Sequence, residues 1–346
     1  MTASLSPATV EAVQRSDGYY RAQGLYASGD DVGGTWGRLA GRLGRRYLSP
    51  RGVDVAALAQ FRRRRLFVVD EPPWEPEGFS WRRLLDPSRR AILTGLGELY
   101  DRMCAAGHRE LLEKLPPCRV GEPYVATRDG IPFTKRHAWA LRALALFRDH
   151  VEPRLGDDRL VILDIGGAEG LFVELLRRAC PRHAAILVDF AEQLVVTEAY
   201  LRESHPDARI LTARAYGTLA SWTPAALREH DVVLVPIQHA EHLARGAADV
   251  VANFVSFTEM SRASFARYLT LPVYQGARML LTVNRFTSYP HLTGITILDY
   301  PVWEPTRRVH LAVSSIVTAP RVRPFGPWFR RDGHIDWQFF EYVGWI

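Results

Sequence analysis

Lysine is nearly absent from this chain of 346 residues, occurring only at Lys114 and Lys135, and cysteine occurs three times, at Cys104, Cys118 and Cys180. The cysteines fall in no CxxC or CxxH spacing, so neither a disulfide framework nor a cysteine-based zinc site organises the fold. No apolar run approaches the roughly 20 residues that cross a bilayer, and the N-terminus lacks a basic head followed by an apolar stretch. A cytoplasmic protein without membrane contact is expected. The net charge of +6 rests almost wholly on arginine. That skew reads as codon usage in a GC-rich genome rather than as a nucleic-acid surface, and the one dense run, Arg62 to Arg65, reads as a solvated face.

What is present is apolar content, 47% of the residues, enough for a large core and more than one average domain needs. Residues 1 to about 120 are heavily punctuated by glycine and proline. Helical patterns lie between, among them "VDVAALAQF" and a long one in which Ile92, Leu96, Leu99 and Met103 recur at helix spacing. Thr134 is placed to cap a further helix whose apolar stripe is Ala138, Leu141, Leu144 and Ala145. The expected division is a mostly helical N-terminal cap or substrate-binding region over 1–133 and a catalytic domain over 134–346.

From Leu160 onward strands and helices alternate. "LVILDI", "HAAILVDF", "DVVLVPI" and "ARMLLTVN" read as buried strands, "GLFVELLRRA", "EQLVVTEAYLRESHP" and "SRASFARYLTLPVY" as helices, and "ARILTA" competes with "DVVLVPI" for the third strand. Alternation of this kind implies an α/β fold, a Rossmann-like, mainly parallel sheet with helices on both faces. "ITILDYP", "RVHLAVSSIVTAP" and "HIDWQFFEYVGWI" read as a strand-rich end that closes the sheet with an antiparallel hairpin.

The turn in "LDIGGAEGLF" is where such a sheet brings its backbone closest to a ligand, and Gly166, Gly167 and Gly170 lack the β-carbon that would block the approach. The pattern is GGxxG rather than GxGxxG, and Asp164 stands two residues before the first glycine. An acid there would crowd the pyrophosphate of a dinucleotide but accepts hydrogen bonds from the ammonium of an amino-acid-bearing nucleoside. One βα unit on, Asp189 is suited to both hydroxyls of a ribose and Phe190 to the face of adenine. S-adenosylmethionine has those parts, with S-adenosylhomocysteine as its product.

At these residues the sequence resembles the class I methyltransferases, over roughly residues 155 to 290. "ADVVANFVSFTEMSRASFARYL" is similar to the DxxxNxxSFxEM segment of the sugar O-methyltransferase family of natural-product and polysaccharide gene clusters, as are "GEPYVATRDGIPFTKRHAWALR" and the asparagine closing "MLLTVN". Ala168 and Glu169 depart from the family, which more often has a third glycine and an aromatic or small residue there. The resemblance implies methylation of a sugar hydroxyl on a nucleotide sugar or glycosylated metabolite.

Methyl transfer depends chiefly on placing the acceptor oxygen behind the methyl carbon, so a metal is not required and none is expected. A base on the acceptor side would add about 10²- to 10⁴-fold. Glu259, in the family segment, is the first candidate for acceptor alignment or proton acceptance, and His239, His242 and His291 follow. Asn253 is expected to bond the cofactor, and Ser256, Asn284 and Arg285 the acceptor. A homodimer is compatible with the chain. Methylation of an amino-sugar nitrogen and, more remotely, an NAD-dependent oxidoreductase are the alternatives.

Overall fold

The computed structural model describes residues 4–26, 47–49, 51–62, 87–156, 158–216, 222–287, 294–300, 304–317 and 338–346. The first half contributes α1 (Pro7–Ala22), a hairpin of β1 (Leu48–Ser49) and β2 (Gly52–Val53), α2 (Val55–Ala59), α3 (Pro87–Ala105), α4 (Arg109–Lys114), a second hairpin of β3 (Ala126–Arg128) and β4 (Ile131–Phe133), and α5 (Lys135–Leu146). A π-helical turn, Phe147–Val151, joins α5 to the short α6 (Glu152–Leu155).

The second half is a wound sheet. Its elements are β5 (Val161–Ile165), α7 (Leu171–Ala179), β6 (Ala184–Asp189), α8 (Ala191–Ser204), β7 (Ile210–Thr212), α9 (Pro224–Arg228), β8 (Val232–Pro236), β9 (Val250–Phe254), α10 (Arg262–Thr270), α11 (Pro272–Gly276), β10 (Met279–Arg285), β11 (Arg308–Val313) and β12 (Phe339–Trp345). The spatial order is β11-β12-β10-β9-β5-β6-β8-β7. β12 runs antiparallel between β10 and β11, and every pairing from β10 to β7 is parallel. This is the α/β, Rossmann-like fold that the alternation implies. Strands covered on both faces need no polar alternation, and β5, β6, β8 and β10 are buried throughout.

The winding fixes where a ligand sits. From β5 the chain moves outward to β6 and the far edge, then returns across the sheet to β9 on the other side of β5. The carboxyl ends of β5 and β9 therefore diverge at a topological switch point, which opens a crevice between their loops.

Several elements differ from the sequence reading for identifiable reasons. Both rivals for the third strand are strands: β8 takes the place beside β6, and β7 adds outside it in parallel. The long N-terminal helix divides into α3 and α4 at Gly107, whose φ is +80°. The helix after β9 divides at Pro272, which has no N–H to continue the ladder. "ITILDYP" is no strand. Ile297–Asp299 is a single 3-10 turn closed by reciprocal bonds between Thr296 and Asp299.

The described residues of the first half pack onto both faces of the sheet. Val13 and Tyr20 of α1 pack with Leu163, Leu187 and α8 on one face of the sheet. Leu99, Met103 and Leu141 pack with Ile162, Val250 and Leu281 on the other. Arg63 to Arg65 lie outside the described residues. Among the described residues, no helix is long and apolar enough to cross a membrane.

Candidate functional site

The loop after β5 is folded over its own strand. Gly166 has φ +70° and donates its N–H to Val188 O at 2.8 Å, which ties the loop to β6. A β-carbon on Gly166 would collide with the Ser256 hydroxyl, and one on Gly167 would collide with the Asp164 carboxylate. The glycines thus bring the two sides of the crevice into contact. Ala168, at φ +51°, is held in the left-handed region from both sides: its N–H donates to Asp189 Oδ2 at 2.9 Å, and its carbonyl accepts from the Thr197 hydroxyl at 2.6 Å. Glu169 is buried and accepts from Arg136 of α5 at 2.6 and 2.8 Å. The Thr134 cap, bonded to the N–H of His137 at 3.1 Å, sets Arg136 in the first turn of that helix.

Beneath the loop lie two buried acids. Asp164 is wholly buried, and among the described residues neither carboxyl oxygen has a hydrogen-bond partner. Burial, and then the Asp189 charge, push its pKa up to about 8. Asp189 ends β6 and accepts from the Phe190 and Ala168 N–H groups at 2.8 and 2.9 Å. Burial nevertheless raises it to about 7, against those two bonds, and Glu192 and Glu169 add to the rise. Phe190, half-buried, is the N-cap residue of α8. A concentration of carboxyl groups around a glycine turn repels a pyrophosphate and favours a ligand that brings positive charge.

Across the crevice, the side chains expected to touch ligand are spent on one another. The Asn253 amide donates to Ile165 O at 2.7 Å and to the Ser256 hydroxyl, while its oxygen accepts from Phe257 N at 3.1 Å and from Asn284 Nδ2 at 2.8 Å. Ser256 also donates to Ile165 O at 3.0 Å, and Asn284 donates to Thr282 Oγ1 at 2.6 Å. Asn253, Ser256 and Asn284, expected to touch cofactor or acceptor, are thus bonded to one another and to Ile165 O. The three form a buried seam that fixes the loop of β9 to the end of β5 and holds Val255 at φ +67°, a costly conformation for a β-branched residue.

Glu259 follows in the 3-10 turn Phe257–Glu259, and its Oε1 accepts from Arg285 Nη1 at 2.6 Å. Arg285 ends β10 with its guanidinium 5.3 Å from the centre of the Phe339 ring. Burial raises the Glu259 pKa, while Arg285 and then Arg136 oppose the rise. Two guanidinium–carboxylate pairs, Arg136–Glu169 and Arg285–Glu259, are thereby within electrostatic reach of each other.

The histidines are not gathered there. His239 and His242 lie in the turn after β8, separated from β9 by β6 and β5. His239 packs edge-on against Trp222 and His242, and its pKa is lowered by burial and then by His242. Their turn is tied to α10, the helix that follows Glu259, by Glu241, which accepts from Arg267 at 3.0 Å. His291 lies outside the described residues. Arg136, Glu169 and Thr197 were not apparent from the sequence. Only the Thr134 cap signalled that Arg136 opens a helix, and nothing local pointed that helix at the glycine turn.

No family model matches the chain, and no curated protein matches it. Among solved structures it is similar to magnesium protoporphyrin IX methyltransferase from Synechocystis PCC 6803 with bound S-adenosylhomocysteine, at 10% identity over 61% of this chain and 83% of that one, TM-score 0.36. It is also similar to TehB from Haemophilus influenzae, at 10% identity over 59% of this chain and 61% of that one, TM-score 0.37. The mitomycin 7-O-methyltransferase MmcR is similar at 12% identity over 61% of this chain and 57% of that one, TM-score 0.33. Likenesses of this size say nothing of activity or substrate, which rest on the residues of the crevice.

Proposed function

We propose that the chain is an S-adenosylmethionine-dependent O-methyltransferase acting on a sugar hydroxyl. The observation that carries the reading is the glycine turn folded over Asp164, a buried acid with two unpartnered oxygens, at the switch point of the sheet with Asp189 one strand away. An orphaned buried carboxyl calls for a donor from outside the chain. The ammonium of S-adenosylmethionine supplies one, and its net positive charge suits the surrounding acids where the dianionic pyrophosphate of NAD does not.

In this reading Asp164 receives the ammonium under the Gly166–Gly170 turn. Each Asp189 oxygen takes one backbone N–H and keeps a lone pair for one ribose hydroxyl, with Phe190 against the adenine. When bound, the cofactor supplies a sulfonium methyl group that moves in line to the acceptor oxygen as its carbon–sulfur bond breaks toward sulfur. The chain's own part is to place that oxygen and take its proton. Glu259 does so at Oε2, since Oε1 holds Arg285, and a pKa raised by burial makes it a better proton acceptor. The sugar acceptor follows from the "NFVSFTEM" resemblance.

The test is calorimetric titration with S-adenosylhomocysteine and with NAD, followed by methyl transfer from S-adenosylmethionine to neutral glycosides, nucleotide sugars and amino sugars. Micromolar binding of S-adenosylhomocysteine alone, and product methylated on oxygen, is the expected result. Binding of NAD instead overturns the cofactor. Methylation on nitrogen alone overturns the acceptor.

A further inference from the structure

Asp164 presents a problem in the unliganded protein. Its carboxyl group is fully buried, directly under Gly167, and neither oxygen is hydrogen-bonded. An isolated carboxylate in such a place is far more costly than a neutral acid. Among the described residues no cation offsets it: the charged group acting on it is another acid, Asp189, at the end of the adjacent strand. The groups around Asp189 continue the sign. Glu192 lies in the first turn of α8 and Glu169 in the loop, where Arg136 of α5 offsets Glu169, and Tyr268 of α10 faces Asp189 as a neutral phenol. Asp189 has two N–H donors to stabilise its charge and Asp164 has none, which places the proton of the pair on Asp164.

We infer that cofactor binding is linked to proton release: the Asp164–Asp189 pair holds one proton when unliganded and gives it to solvent as the ligand's ammonium docks against Asp164. The inference rests on the cofactor reading above. The balance is simple. The ammonium keeps its protons, the carboxylic acid O–H bond breaks, the electron pair stays on Asp164, and the proton leaves to buffer. A buried ammonium–carboxylate pair replaces a buried neutral acid, so Asp164 never carries an unpaired charge. Burial of the pair sets the titration near neutrality, where Asp164 titrates at about 8 and Asp189 at about 7.

The experiment is titration of the full chain with S-adenosylhomocysteine near neutral pH in buffers of differing ionisation enthalpy. The slope of observed heat against that enthalpy counts protons. Release of close to one proton per ligand is expected, with affinity climbing up to about tenfold per pH unit below the pair's titration. 5′-Methylthioadenosine, which has the nucleoside but no ammonium, is expected to bind without release, and so is S-adenosylhomocysteine to Asp164→Asn. Tight binding with zero slope overturns the proton linkage and leaves the cofactor reading standing. Equal release with methylthioadenosine overturns the assignment to the ammonium, and this arm needs no variant to fold. Absence of S-adenosylhomocysteine binding overturns both readings.

Discussion

Arg285 Nη1 lies 2.6 Å from Glu259 Oε1, so the acid nominated for the acceptor side is presented by the end of β10 rather than by its own turn. The pairing holds Glu259 anionic against the burial that raises its pKa. Arg285→Met removes that support, and the acidic limb of the pH–kcat profile is expected to move to higher pH. Glu259→Gln is expected to lower kcat by about 10²- to 10⁴-fold while leaving affinity for S-adenosylhomocysteine within a factor of about two. Equal loss of cofactor affinity in Glu259→Gln would assign the residue to the loop's architecture instead.

The glycine turn makes a sharper geometrical prediction. A methyl group on Gly167 meets the Asp164 carboxylate and comes within 3.2 Å of Leu187 Cδ1, so one of three packed groups must move. Overpacking of this kind costs about 1–3 kcal/mol, and Gly167→Ala is expected to weaken S-adenosylhomocysteine binding roughly 5- to 150-fold. Gly95, in α3, has open space where its β-carbon would go. Gly95→Ala is expected to leave binding unchanged and to stabilise the chain by about 0.5–1 kcal/mol, measured by urea unfolding.

How much of this was legible in the sequence depended on the range of the interaction. β5 and β6 were readable because an uninterrupted apolar run followed by a glycine turn or an acid has few other meanings, and α5 because Thr134 announces it. Asp164 and Asp189 followed from those strands. What escaped was set by distant partners. Asn253 looks like a ligand-binding amide until Asn284, in the next strand, takes its oxygen. Glu169 looks like a loop acid until Arg136 arrives from a helix 33 residues away. The place of β8 beside β6 is a choice of crossover, and two short apolar runs of similar length cannot declare which lies inside.

The buried seam between β5 and β9 predicts a penalty larger than one hydrogen bond. Asn253→Ala strips the Phe257 N–H and the Asn284 amide of a partner and leaves Ile165 O with Ser256 alone. Each unsatisfied buried group costs about 1–3 kcal/mol, so a loss of about 3 kcal/mol or more is expected in urea unfolding. Asn253→Asp keeps the acceptor but turns a carboxylate toward Ile165 O. Its stability relative to the parent chain is expected to improve as pH falls and the new acid takes up a proton. A cost within about 0.5 kcal/mol for the alanine variant would show that the seam is dispensable.

One pH-dependent contribution to stability has an identifiable source far from the crevice. Glu341 on β12 is buried, yet accepts from Arg142 of α5 at 2.5 and 3.0 Å and from Ser314 at 2.6 Å, with His310 Nε2 3.6 Å away. Burial raises its pKa, but nearby His310 and the bonds from Arg142 and Ser314 prevail and hold it at about 2. A folded-state value below the ordinary one means that the unfolded chain binds the proton first. The stabilisation is therefore complete above the ordinary carboxyl range and is lost as pH falls toward about 2. Its size is on the order of 3 kcal/mol. His108, which meets Arg142 Nη1 at 2.9 Å, and His150, stacked on His310 at 4.6 Å, act earlier. Burial lowers both, helped by Arg142 for His108 and by His310 for His150, so they cost stability as pH falls below the ordinary histidine range. Asp164 and Asp189, pushed up to about 8 and about 7, act in the opposite sense, so the Glu341 contribution is read as the difference in unfolding free energy between the parent and Glu341→Gln, which is expected to shrink below about pH 4.5. Glu341→Gln leaves the histidine and aspartate contributions in place and removes this one alone, because the amide has no proton to gain.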